Sequence, residues 1–325
     1  MDRKSRPREV NMGSSRAHLS RHQTKVLVFP SLGASMLIAS VASAQAIPDV
    51  SVRQIPDTAF VAQVPIPTPA YASGEGPTVV IDGGHHNYHT AEGLYLPFAQ
   101  LLRRDGYVVQ GSNARITTGV LQSADVFVVS NALHESNEGA WRPPIAQAFA
   151  DDEVRAIRDW VSGGGRLLLI ADHSPFPEAI ASLAAALDLH WVSGLARDTL
   201  APPGPKVFRK ADGSLVEHWT TIGIDSVATF DGSAFEIRRP GSELLVFGPL
   251  VVGGPDDAGK RPGWEGYLQG ALFGFGAGRV AVFGEAAMFS ARLAGPQGRP
   301  VGFNAPIAGQ NPRFILNVMR WLTES

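Results

Sequence analysis

Four apolar segments of this chain end in residues that can move protons or bind a cation. Val79-Val80-Ile81 runs into Asp82, and Gly83-Gly84 then lead to His85, His86, Asn87 and His89. Ala124 to Ser130 (ADVFVVS) is followed by Asn131, with His134 and Glu135 soon after. Arg166 to Ala171 (RLLLIA) delivers Asp172, His173 and Ser174, and Arg279 to Phe283 (RVAVF) delivers Glu285. Carboxylates and imidazoles gathered in one place do general acid–base work, because burial and neighbouring charge tune both towards neutral pH. The same donors suit a divalent metal, zinc or a similar ion, held by three protein ligands with one position open. Asp82, His85, Asp172, His173 and Glu285 are the candidate catalytic set. His85, His86, His89 and His173 are the candidate metal ligands, and the metal is the candidate cofactor. The run at 85–89 is not the helical H-E-x-x-H zinc motif, since residue 86 is His and two glycines lead into it. The alternative for these histidines is capping and loop hydrogen bonding.

Ser174 has two readings. It follows a strand and precedes Pro175, as a nucleophile at a strand end or a helix cap would. Triad members converge from separate segments, whereas Asp172 and His173 are its neighbours in sequence. A base for it would have to be another histidine, such as His85 or His218. No G-x-S-x-G occurs in the chain.

These groups need elements to position them. Short, continuously apolar runs at 78–82, 124–130, 166–171 and 279–283 have the pattern of buried parallel strands. Tyr107-Val108-Val109 reads as a brief strand. Leu94, Phe98, Leu101 and Leu102 share one face of a helix over 91–104, with Thr90 as its cap and Gly106 as its stop. Further helices are expected over 151–161, ended by three glycines, over 177–187, and over 311–322. Residues 190–234 read as irregular, and 235–238 and 244–251 as a hairpin or edge strands. Alternating strands and helices predict an α/β fold with a doubly wound, mostly parallel flavodoxin-like sheet and helices on both faces. Ligands bind such sheets beyond the carboxyl ends of the strands, where all four sets lie.

The chain begins with the order of a secretory signal: basic residues to Lys25, an apolar run from Val26 to Ala42, then Ala44-Gln45-Ala46. Cleavage near Ala46 and a periplasmic or secreted location are expected, with Met12 as a second candidate start. The apolar run is short for a membrane span, so no stable span is expected after cleavage. Residues 47–76, with Pro48, Pro56, Pro65, Pro67 and Pro69, read as an extended arm, and 77–325 as a single domain.

Beyond the signal the chain is acidic, about −7 by formal charge. That argues against a nucleic-acid partner, which requires a basic surface. There is no cysteine, so disulfides, a thiol nucleophile and thiolate ligands are excluded. Gly254 to Arg261 mimics a phosphate loop without its Ser/Thr, and Gly274, Gly276 and Gly278 precede a strand rather than follow one. Trp141-Arg142 and Trp264-Glu265 are candidate pocket walls. Aromatic residues beside carboxylates suit a small-molecule or glycan-like substrate.

The segments Val79–Asn87, Leu167–Pro175 and Gly278–Phe289, followed by 311–322, resemble the class I glutamine amidotransferase-like superfamily. Its DUF4350-type and trehalose-utilisation (ThuA-like) groups are the nearest in pattern. The resemblance covers roughly 77–325 and implies a flavodoxin-like sheet with a site at the strand carboxyl ends. The amidotransferase nucleophile is a cysteine; Asp172-His173-Ser174 stands there instead, which removes glutaminase chemistry. Two functions are expected on these grounds: an exported hydrolase-like enzyme with a His/carboxylate pocket, or a non-catalytic ligand-binding protein of the cell envelope. The substrate is not legible.

Overall fold

The computed structural model describes residues 53–198, 204–248, 250–253 and 266–324. These belong to one compact unit spanning 45–325. The secretory-type segment 1–46, the Gly254–Arg261 loop and Trp264-Glu265 lie outside the described residues.

The arm carries two elements. β1 (Gln54–Pro56) is a short strand, and α1 (Thr58–Gln63) starts at Asp57, whose side chain accepts the Phe60 N–H. Val61 and Val64 are buried in the core. Next come β2 (Thr78–Asp82), α2 (Leu96–Arg104), β3 (Val108–Ser112), α3 (Thr118–Gln122), β4 (Val126–Ser130), α4 (Asp151–Ser162) and β5 (Arg166–Ile170). α2 starts later than its spacing suggests, because the Tyr95 N–H turns back to the Thr90 carbonyl and closes a loop ahead of it. The helix expected over 177–187 breaks at Ile180 into α5 (Phe176–Ala179) and α6 (Ala181–Ala186).

The stretch expected to be irregular holds β6 (Leu189–Val192), β7 (Leu195–Asp198), β8 (Lys206–Arg209) and β9 (Ser226–Thr229). β10 (Ala234–Ile237), β11 (Ser242–Val246), β12 (Leu250–Gly253), β13 (Leu268–Phe275) and β14 (Gly278–Phe283) follow. The chain closes with β15 (Ala291–Ala294), β16 (Arg299–Gly302) and α7 (Asn311–Thr323).

The main sheet runs β3-β2-β4-β5-β14-β13-β10-β6, with β11 also paired to β13. β3, β2, β4, β5 and β14 are parallel, whereas β13, β10, β6 and β11 join antiparallel. Three small antiparallel sheets, β1-β15-β16, β12-β7 and β8-β9, add to it. The fold is therefore mixed α/β, and the expectation of a doubly wound, mostly parallel flavodoxin-like sheet is wrong. The cause is a hairpin. Only Gly276 and Ala277 separate β13 from β14, and two residues can reverse a strand but cannot cross over to a parallel one. Gly276 turns the corner at φ 61°, a backbone shape that glycine adopts without strain.

Within the parallel half, side chains alternate between two cores. Val79 and Ile81 join Phe98, Leu101 and Leu102 of α2 and Phe314, Ile315 and Val318 of α7. Val80 joins Phe127, Val129, and Val154 and Ile157 of α4 on the other face. This period-two segregation fixes which strand-end residues emerge together. Ser130 is in register with Ile170, and Ile170 with Phe283. Backbone bonding continues past the strands, from Asn131 N–H to Ile170 O and from Ala171 N–H to Phe283 O. Asn131, Asp172 and Glu285 thus leave neighbouring strands side by side. β3 and β4 lie on opposite sides of β2, so the connections diverge there, the place at which open α/β sheets generally bind ligands.

Candidate functional site

The five candidate catalytic residues fall into separate groups. In the first, His85 lies between two carboxylates. Its Nδ1 is 2.9 Å from Asp82 Oδ2 and its Nε2 is 3.2 Å from Glu153 Oε1. Both ring nitrogens can donate only when the ring is an imidazolium. Burial alone would push the ring's pKa down, but the hydrogen bonds and charges of Asp82 and Glu153 outweigh it and raise the pKa. Glu153 also accepts the N–H groups of Ile116 and Ala150, through which it closes the start of α4. His85 therefore ties the loop after β2 to α4, with both nitrogens committed.

The second group gathers at the ends of β4, β5 and β14. Glu285 is fully buried, and its two oxygens accept the N–H groups of Ala287 (2.8 Å) and Met288 (2.7 Å). Burial and the charge of Asp172 nevertheless push its carboxyl well above the usual range, against the pull of those N–H groups and of Arg292. Asp172 keeps 8% exposure, and its Oδ1 accepts the His173 N–H. Asn131, held at φ 49°, accepts the Asp172 N–H on Oδ1 at 2.8 Å and directs its amide nitrogen to His89 Nδ1 at 3.2 Å. Arg292 Nη1 lies 3.4 Å from the other nitrogen of His89. Burial and the Arg292 charge push the His89 pKa well down, so this ring is neutral. Tyr95 stitches the ends together: Ser130 donates to its hydroxyl, which donates to the Ala286 carbonyl.

The remaining residues point elsewhere. His86 Nδ1 meets Glu138 at 2.7 Å on the surface. His173 donates through Nδ1 to the Ser174 carbonyl at 2.8 Å. The Ser174 hydroxyl donates to Glu178 at 2.6 Å; it neither meets a histidine nor caps α5. No three His, Asp or Glu side chains among the described residues are placed to hold a metal ion. His85, His86, His89 and His173 thus do not form the metal cluster expected of them, each being turned to its own partner. A cavity of about 230 Å³ is lined by Glu178, Trp191, Ser193 and Arg238 among others, but not by Asp172 or Glu285. A cluster of rings packs beside His173 instead: Trp141 lies 5.4 Å from Tyr88, 5.0 Å from Phe176 and 6.1 Å from His173.

Glu153, Arg292 and Tyr95 escaped the sequence reading. Glu153 sits three residues after Ala150, the position from which a helix's first turn reaches back to its cap, and that signal was legible. Arg292 lies on a short strand with no pattern to mark it.

No family model matches the chain, and no curated protein matches it. Solved structures do. The N-terminal domain of mmIFT52 superposes with a TM-score of 0.53 at 14% identity, covering 76% of this chain and 98% of that one. The likeness is one of fold. A cytoplasmic protein from Salmonella typhimurium LT2 follows at 0.49 and 14% identity, covering 76% and 99%. A ThuA-like protein from Bacteroides uniformis matches at 0.44 and 12% identity, over 79% of this chain and 95% of its own. The structural neighbours thus include ThuA-like proteins, while no family model supports the DUF4350-type grouping.

Proposed function

We propose that the protein is an exported hydrolase-like enzyme acting on a small-molecule or glycan-like substrate, with Asp172 as its catalytic carboxylate. One observation carries the reading. Asp172 and Glu285 leave adjacent parallel strands in register, one keeping 8% exposure and the other sealed and biased towards its neutral form. A carboxyl held towards its neutral form beside a second carboxyl is a usual arrangement for dividing acid and base roles. Asp172 takes a proton from a water or a substrate hydroxyl. Glu285 is a positioning residue that holds a proton beside it. Trp141 and Tyr88, packed edge to face, supply aromatic surface for a substrate ring.

A panel of chromogenic esters and glycosides, hydrolysed by wild type and by Asp172→Asn, tests this. Loss of a general base costs about 10²- to 10⁴-fold in turnover. A rate unchanged in Asp172→Asn sinks the assignment. If the wild type hydrolyses nothing in the panel while binding one of its members, the ligand-binding reading stands in its place. That reading has its own support, since both Glu285 oxygens already serve the turn after β14.

Export rests on the order of basic, apolar and Ala44-Gln45-Ala46 segments. Mass spectrometry of the protein recovered from a bacterial periplasm is expected to give a chain starting at Ile47. An intact chain confined to the cytoplasm contradicts export.

A further inference from the structure

Arg292 is a buried cation that makes no ion pair among the described residues. It is 5% exposed, its Nε is sealed from solvent, and that nitrogen has no hydrogen-bond acceptor. Buried guanidinium groups are normally paired, because desolvation is costly without a partner. Its one side-chain neighbour within hydrogen-bonding range sharpens the point. The Asn131 amide is oriented by the Asp172 N–H, so its nitrogen donates to His89 Nδ1. A neutral imidazole that accepts at Nδ1 carries its proton on Nε2. That N–H faces Arg292 Nη1, a second donor, 3.4 Å away. Two donors side by side, with the Arg292 Nε beyond them, suit oxygen atoms that accept from both side chains.

Resting on the reading of this region as a substrate site, the geometry points to Arg292 and His89 as the subsite for a carboxylate carried by the substrate. The planar edge of a guanidinium matches the two oxygens of a carboxylate. A doubly charged phosphate is disfavoured, because the Asp172 and Glu285 carboxyls lie within electrostatic reach of the same groups. The substrate class narrows to carboxylate-bearing small molecules, acidic sugars among them.

The test is a titration of the mature chain with sodium acetate and, separately, sodium phosphate, with chloride holding ionic strength constant. The Arg292 Nε–H resonance is followed by ¹H–¹⁵N NMR and assigned by its loss in Arg292→Lys. Acetate is expected to shift it saturably and phosphate to act more weakly. The apparent acetate affinity is expected to fall at least about tenfold in Arg292→Lys, followed through the His89 ring resonances, since the bidentate fork is lost while the charge stays. Asp172→Asn is expected to bind acetate at least as tightly as wild type. A resonance that ignores acetate, or moves equally with chloride, overturns the subsite; tighter binding of phosphate overturns its assignment to a carboxylate. Saturable acetate binding alongside unchanged turnover in Asp172→Asn would remove the hydrolase reading and leave the subsite standing.

Discussion

Replacing His85 with alanine is expected to cost about 3 to 5 kcal/mol of folding stability, the usual penalty for breaking a buried ion pair by removing one partner. Asp82 is fully buried and Glu153 nearly so, and without the imidazolium two carboxylates face each other across the space it occupied. Urea unfolding of wild type and His85→Ala measures the loss. Its pH dependence is also set. The folded pKa of His85 is raised, so its contribution is complete below the unfolded value near about 6.5. It is lost as pH rises through the folded value. The gap between the two proteins should therefore be widest in mild acid and shrink towards alkaline pH. A variant as stable as wild type, with reduced turnover, would restore His85 to a catalytic role.

Glu285→Gln is expected to give the second-largest effect. The substitution keeps size and shape, but an amide offers one acceptor oxygen where the carboxyl offers two. One of the Ala287 and Met288 N–H groups is left facing a donor, at a cost of about 1 to 3 kcal/mol. That deficit should narrow as the pH rises. An unfolded glutamate titrates near about 4.3, whereas burial and Asp172 hold the folded group protonated well above that. Between those values the native state binds more protons than the unfolded one, so wild-type stability falls with rising pH while glutamine is unaffected. Unfolding free energies for the pair between pH 4 and 8 measure the slope. A gap that widens with pH would mean the two N–H groups and Arg292 win, with Glu285 ionised throughout.

Four of the five parallel strands, β2, β4, β5 and β14, were legible because they are buried and show uninterrupted apolar runs, unlike the exposed edge strand β3. Thr78–Asp82 and the segments ending at Ser130, Ile170 and Phe283 stand where the pattern puts them. The same physics hid the antiparallel half. β13 is buried at almost every position, so it shows neither alternation nor any mark of direction, and its glycines imitate a loop. At the site, the sequence brought out the strand-end residues but not their pairing. Nothing in the order Asp82, His85, Asp172, Glu285 tells that a helix residue, Glu153, claims His85. Nor does it tell that β15 returns near the C-terminus to lay Arg292 beside His89. Long-range closure of this kind depends on tertiary packing rather than on local spacing.

β15 owes its position to the segment that reads as an arm. β1 pairs along one edge of it and β16 along the other, and Asp57 ties the arrangement through Asn304, which bonds the Arg292 backbone on both its N–H and C=O. The chain from Gln54 onward is therefore packed into the same compact unit as residues 77–325. A fragment begun at 77 would bare a row of backbone donors and acceptors along β15, the geometry that templates pairing with another chain. For this protein, trimming a proline-rich leader and creating a sticky edge are the same operation.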